Sequence, residues 1–264
     1  MTLFQKKEKY EPIRSMIGDG IDYSVYNETV KEKILWFLIG MLASGAVLYI
    51  FYESILVSAI AGAVCGVVFI PIRRKQVINK RRQKLTMQFR GLLDSLATSV
   101  GAGKNIQNSF ADAIEDLEVQ FSADSDIVRE LEIIVSGVYH NLPIEKLLLN
   151  FAERSKVEDI GNFANVFATC YRKGGNINEV IKNTAEILRD KIEIKLELET
   201  MVSGQKNEMN IMLVMPVLFI VVMKSMGGGL VDLSTPIGIL SVTIALASFV
   251  AAYFVGQWIT DIKL

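Results

Sequence analysis

Four stretches of this chain carry no Asp, Glu, Lys or Arg: residues 34–52 (ILWFLIGMLASGAVLYIFY), 55–72 (ILVSAIAGAVCGVVFIPI), 209–223 (MNIMLVMPVLFIVVM) and 237–259 (IGILSVTIALASFVAAYFVGQWI). An uncharged apolar run of about 18 residues or more is long enough to cross a bilayer as a helix. The first, second and fourth runs reach that length. The third ends at Lys224, and needs Ser225-Met226-Gly227 or a snorkelling lysine to complete the crossing. The 51% hydrophobic composition is thus concentrated rather than spread through a globular core. The first run follows about thirty mostly polar residues and is too long for the apolar core of a signal peptide, so no cleavable signal is expected.

Charge sets the expected orientation. Seven of the twelve residues in 73–84 (RRKQVINKRRQK) are Lys or Arg, with no acid among them. Lys6, Lys7, Lys9, Arg14, Lys31 and Lys33 add to the N-terminal arm. The link between the first two runs is only Glu53-Ser54, and the link at about 224–236 has one lysine and one aspartate. Lys and Arg near span ends favour the cytoplasmic side. The reading is a cytoplasmic arm (1–33), a membrane hairpin (34–72), a cytoplasmic helical segment (73–208), a second hairpin (209–259) and a cytoplasmic tail (260–264). Neither outer link is large enough to bind a ligand. The basic stretch abuts a span, so it reads as a collar for anionic headgroups rather than a nucleic-acid surface.

The spans carry no ionisable residue in their middles, which argues against a pump or coupled transporter. Small residues recur instead: Gly40, Ala43 and Gly45, then Ala59, Ala61, Gly62, Ala63 and Gly66. The spacing Gly62–Gly66 predicts close packing of the first two spans. Pro216 predicts a kink in the third.

Residues 73–208 contain one proline, Pro143, and no strand-like alternation. Helical periodicity runs through 85–100, where Phe89, Leu92, Leu93, Leu96 and Val100 share a face, and through 106–117, 125–139, 144–155, 157–173 and 178–203. Three corners resemble one another: GKNIQNSF from Gly103, NLPIEKLL from Asn141 and GGNINEVI from Gly174. In each, a Gly or Asn stands three residues before an isoleucine, and apolar or small residues follow that isoleucine at +3 and +4. Gly or Asn tolerates the left-handed conformation that ends a helix, and Asn or Pro suits the start of the next. The pair Gly174-Gly175, followed by Asn176, invites comparison with a phosphate cradle. That loop needs GxxxxGK[ST] after a buried strand, and neither is present, so the pair reads as a helix corner. In the last helix, Val180, Thr184, Ile187, Lys191, Ile194, Leu198 and Met201 fall at heptad-like steps, widened by Ile181, Leu188 and Ile192. Its 26 residues extend about 39 Å. It is either a rod that transmits motion or simply a bundle helix.

No catalytic, cofactor-binding or metal-binding set emerges. His140 is solitary and sits at a helix end. Cys65 and Cys170 lie in unlike surroundings and suggest no disulfide. The acids Glu130, Glu132, Glu145, Glu153, Glu158, Asp159 and Glu179 interleave with apolar stripes and read as solvated.

The segment QFRGLLDSLATSVGAGKNIQNSFADAIED (88–116) resembles the opening of the type II secretion F domain. The segment 144–190 resembles its second half, with Ala152–Arg154 similar to an A-x-R element and Gly174-Gly175-Asn176-Ile177 with Glu179-Val180 similar to a GGxLxExL signature. Phe110 stands where that family often has leucine, and Asn141 where glycine is common. The resemblance implies an all-α integral membrane protein, four transmembrane helices flanking a cytoplasmic six-helix bundle. It implies an inner-membrane platform subunit without enzymatic activity, meeting a cytoplasmic secretion ATPase, pilin subunits and a paired platform subunit or second copy. The chain has room for one bundle, where platform proteins of ordinary type IV pili carry two, so it is most similar to the tight-adherence B and C subunits. Glu179, Glu193, Glu197 and Glu199 are the candidate ATPase contacts. A membrane-anchored helical signalling scaffold is the competing expectation.

Overall fold

The computed structural model describes residues 13, 15–18, 20–26, 30–52, 54–226 and 235–260. Lys6, Lys7, Lys9 and Arg14 of the arm, and tail residues 261–264, lie outside the described residues. Regular structure among the described residues is helical throughout: α1 (Val30–Tyr52), α2 (Ile55–Gly101), α3 (Ile106–Phe121), α4 (Asp126–Tyr139), α5 (Ile144–Ser155), α6 (Glu158–Lys173), α7 (Ile177–Ser225) and α8 (Pro236–Thr260). The chain divides into two compact units. One holds the described arm residues up to Tyr26 together with residues 75–191; the other holds α1, α2 as far as Arg74, α7 from Ile192, and α8.

The second unit is the membrane unit. Its four helices are each long and apolar enough to cross a bilayer. The backbone amides of a span must be satisfied within the span, which is why uncharged runs of this length become helices. The expected tight hairpin is present between α1 and α2. A Cβ on Gly66 would stand 3.0 Å from the Phe37 carbonyl oxygen, and one on Gly62 would stand 3.1 Å from that of Met41. Only hydrogen at these positions lets the two backbones approach so closely. Arg73 lies over the Trp36 ring, 4.2 Å from its centroid, and Tyr52 and Thr243 join α1 to α8 by a hydroxyl contact of 2.9 Å. The third span is not cut short at Lys224: α7 continues to Ser225 and runs unbroken through Pro216.

The first unit is a helical bundle. Leu85, Phe89, Leu92, Leu93 and Leu96 of α2 are all buried, as the periodicity requires. Phe89 meets Phe163 edge to face at 5.5 Å, Phe163 leads to Phe167 at 5.6 Å, and Phe110 stands edge-on to Phe167 at 6.5 Å. Phe110 therefore fills an aromatic slot between α3 and α6 that a leucine would leave partly open. In α7 the buried line is Ile181, Ala185, Leu188 and Ile192. This corrects the heptad seam: Ile187, Ile194 and Met201 are exposed, because the helix packs its neighbouring face on the core and makes no coiled-coil seam here.

Successive bundle helices run antiparallel. Gly91 adjoins Gln120 and Phe121, Ser95 bonds Asp116, and Lys104 bonds Asp112 at the far end. Asp159 at the start of α6 pairs with Lys191 of α7. This alternation gathers the α2–α3, α4–α5 and α6–α7 corners at one end. There Gly103 (φ 83), Asn141 (φ 61) and Gly174 (φ 70) all adopt the left-handed conformation. Asn105 accepts from the Gln107 amide, and Asn176 accepts from the Glu179 amide, each opening the next helix. Gly175 has no positive φ, but a Cβ there would collide with Cys170 Sγ. The corners after α3 and α5 turn instead on Ser122 (φ 92) and Lys156 (φ 53).

A valine at position 174 has to hold a left-handed backbone, which costs an L-residue about 1–2 kcal/mol. Gly174→Val should lower stability by about that amount, whereas Asn141→Gly should change it by less than about 0.5 kcal/mol. Thermal unfolding of the detergent-solubilised protein followed by circular dichroism checks both, and an unchanged midpoint for Gly174→Val contradicts the corner assignment.

Candidate functional site

The polar centre of the bundle is an ion pair shut away from water. Glu130 follows Ile127 by three residues on α4 and precedes Ile134 by four, so helical spacing places it on the buried stripe. Arg154 follows Phe151 by three on α5 and does the same there. Their side chains are 2% and 1% exposed. Arg154 Nη1 and Nη2 donate to Glu130 Oε1 and Oε2 at 2.7 and 2.5 Å, a fork-on-fork geometry, and Nε donates to Asn150 Oδ1 at 2.9 Å. Glu130 is thus not the solvated acid that its polar neighbours suggest. Two charged residues on facing apolar stripes were the signal for this pair, since an isolated charge in either place would be prohibitively costly.

The remaining hydrogen bonds come from the N-terminal arm. Arg154 Nη1 also donates to the Ile21 carbonyl at 3.2 Å, and the Tyr23 amide donates to the Arg154 carbonyl at 3.0 Å. The Tyr23 hydroxyl donates to Glu130 Oε1 at 3.0 Å. Tyr23 is 1% exposed, a core residue in a segment that sequence alone marked only as a polar arm. Asp22 shapes the segment, accepting from the Ile13 amide at 3.0 Å and the Ser24 amide at 2.8 Å. Arg81 of α2 closes the other side. It pairs with Asp126 through two bonds of 2.7 and 3.1 Å, and its guanidinium lies 4.8 Å from the Tyr23 ring centroid. The bond to Asp126 pushes Arg81 further toward permanent protonation. Burial raises the Tyr23 phenol well above its ordinary value of 10.0, and the carboxylates of Glu130 and Asp126 reinforce the shift against the opposing charge of Arg81.

This arrangement holds a peptide segment; it contains no nucleophile activated by a base. Among the described residues no three His, Cys, Asp or Glu side chains are grouped to hold a metal. Of the candidate contact residues, Glu179 is exposed at the first turn of α7, 3.4 Å from the Asn176 amide nitrogen. Glu193, Glu197 and Glu199 are exposed on α7 in the membrane unit. His140 is the exposed C-terminal cap of α4, its Nδ1 2.7 Å from the Ser136 carbonyl oxygen.

A multi-pass, all-α membrane protein is defined by these two units: four apolar spans and a helical bundle inserted between them in sequence. The family model for "Type II secretion system (T2SS), protein F" matches residues 92–223, half of the chain, and the protein belongs to that family of membrane platform proteins. Searches of curated proteins and of solved structures each returned no match. The matched region contains Glu130 and Arg154; Tyr23 and Arg81 lie upstream of it.

Removing one partner of a buried pair strands the other, at a cost of about 3–5 kcal/mol. Arg154→Met should therefore lose about that much stability, and adding Glu130→Met should restore most of it, as read from a double-mutant cycle of unfolding midpoints. Strict additivity of the two losses contradicts the pairing. The raised phenol gives a second test. The folded state holds the Tyr23 proton more tightly than the unfolded chain, so its contribution is complete below pH 10.0 and falls as pH climbs above that value. Wild type should lose stability more steeply than Tyr23→Phe above pH 10.0, and parallel curves contradict the docked phenol.

Proposed function

We propose that this protein is an inner-membrane platform subunit of a tight-adherence type pilus machine, coupling a cytoplasmic secretion ATPase to pilin extrusion. The observation that carries the reading is the family match over residues 92–223, bracketed by membrane spans. In this reading the bundle meets the ATPase, the spans hold or turn pilin subunits, and a second copy or paired subunit completes the platform. The chain itself performs no chemistry: it passes on movement generated by ATP hydrolysis elsewhere.

Both termini and the bundle are cytoplasmic in this reading. The exposed cations Arg74, Lys75, Lys80 and Lys84 next to the second span support that side. The packing of Gly20–Tyr26 against the bundle puts the arm on the same side as the bundle, because a segment and its groove in one compact unit share a side of the bilayer. The exposed acids Glu193 and Glu197, one helical turn apart, suit a basic ATPase surface.

Full-length protein in detergent, incubated with a purified secretion ATPase from the same organism, should retain the ATPase at low ionic strength. Glu193→Lys with Glu197→Lys should abolish retention and filament assembly at unchanged protein level. Failure of the unaltered protein to retain the ATPase at low salt overturns the coupling.

A further inference from the structure

The arm meets the bundle as a peptide meets its receptor. Arg154 recognises two backbone groups two residues apart, the Ile21 carbonyl through Nη1 and the Tyr23 amide through its own carbonyl. A single aromatic side chain, Tyr23, enters a pocket floored by Glu130 and roofed by Arg81. Backbone pairing for affinity and one side-chain pocket for selection is a recurrent mode of peptide recognition, and here the segment turns at Tyr23-Ser24, where the Val25 amide donates to the Asp22 carbonyl at 3.3 Å. Position 20 adds a second selection. A Cβ there would stand 2.7 Å from Arg154 Nη1, 2.9 Å from Cζ and 2.5 Å from Ser15 Cβ. The guanidinium cannot swing aside, because Glu130 holds both of its terminal nitrogens.

The bundle does not need the arm to fill its apolar interior. The buried apolar residues from Leu85 to Ile192 come from α2 to α7, and Tyr23 is the one described arm residue among them. With the arm away, Arg154 and Glu130 still hold each other, and water can take over the bonds that Ile21 and Tyr23 make. Such an opening exposes little apolar surface and falls at the low-energy end of local unfolding.

We propose that the face of α2, α4 and α5 around Glu130 and Arg154 is a peptide-docking site. Its ligand class is a short peptide bearing Gly-x-x-Tyr with a turn at the tyrosine, and its resident ligand is the chain's own Gly20–Tyr26. This segment leaves as a unit while the bundle stays folded. The site is then open to the same segment supplied in trans.

The test uses full-length protein in detergent and a fluorescein-labelled synthetic peptide of residues 15–26. Gly20→Ala in the chain should expel the arm. The altered protein should keep its helical circular dichroism, and should bind the labelled peptide saturably by fluorescence anisotropy. Wild-type protein, its own arm seated, should bind the peptide at least about 10-fold more weakly. A peptide carrying Tyr23→Phe loses a hydrogen bond to a charged group and should bind the altered protein about 10-fold more weakly. Hydrogen exchange supplies a check on unaltered protein: the Tyr23 amide should exchange well ahead of the Leu131 and Ile134 amides. The proposal is overturned if the Gly20→Ala chain loses its helicity, if it stays folded but binds no peptide, if both peptides bind alike, or if the Tyr23 amide exchanges in step with the core.

Discussion

Burying Glu130 and Arg154 together removes two full charges from water, at an effective cost of several kcal/mol per ion. That cost is offset only when every remaining lone pair and N–H finds a partner. Here Glu130 offers both oxygens to both terminal nitrogens of Arg154, Asn150 and Ile21 accept two further N–H groups, and Tyr23 donates to Glu130. The pair joins the first half of α4 to the last turn of α5, and calls the arm to the same spot. An apolar pair could hold α4 and α5 together equally well; it could not hydrogen-bond the backbone of the arm. The polar core is therefore what turns a helical bundle into a receptor for its own N-terminus.

The compact unit is consequently discontinuous in sequence. Residues from 75 to 191 supply its helices, and the arm supplies Tyr23 and the backbone groups around it. Cutting the chain between the second span and the bundle would give a piece with an intact apolar interior and an unfilled polar groove. The family match begins at Leu92, within α2, and covers α3 to α6 and α7 as far as Met223, leaving residues 75–91 of α2 outside it.

Much of the fold was legible from spacing alone. The four spans announce themselves by the absence of charge, and the Gly62–Gly66 step by its close approach to Met41 and Phe37. The corners at Gly103, Asn141 and Gly174 were readable because a left-handed residue followed at +3 by an anchoring isoleucine is a local signal. The corners at Ser122 and Lys156 were not, since serine and lysine carry no preference for that conformation, which they adopt here at exposed helix ends. The α7 seam misled because two neighbouring faces of that helix are both apolar, and only the packed bundle chooses between them. The docking site was half visible. Glu130 and Arg154 sit in phase with apolar stripes, but their pairing joins residues 24 apart, and Ile21 lies 133 residues from Arg154. No periodicity reports a contact at that separation.

That separation has a consequence for how the protein is made. The arm is synthesised before both spans of the first hairpin, yet its groove is not complete until α5 has emerged, 133 residues after Ile21. At ordinary elongation rates this is an interval on the order of 10 s. Throughout it Gly20–Tyr26 waits without its partner while α1 and α2 enter the bilayer. The groove can close only if those two helices cross as a pair and bring the chain back to the side on which the arm was left. A ribosome product with one crossing missed would carry a bare Arg154–Glu130 cleft on one face of the membrane and an undocked Tyr23 on the other. Seating of the arm therefore requires that α1 and α2 both cross, which ties the bundle's polar core to the outcome of membrane insertion.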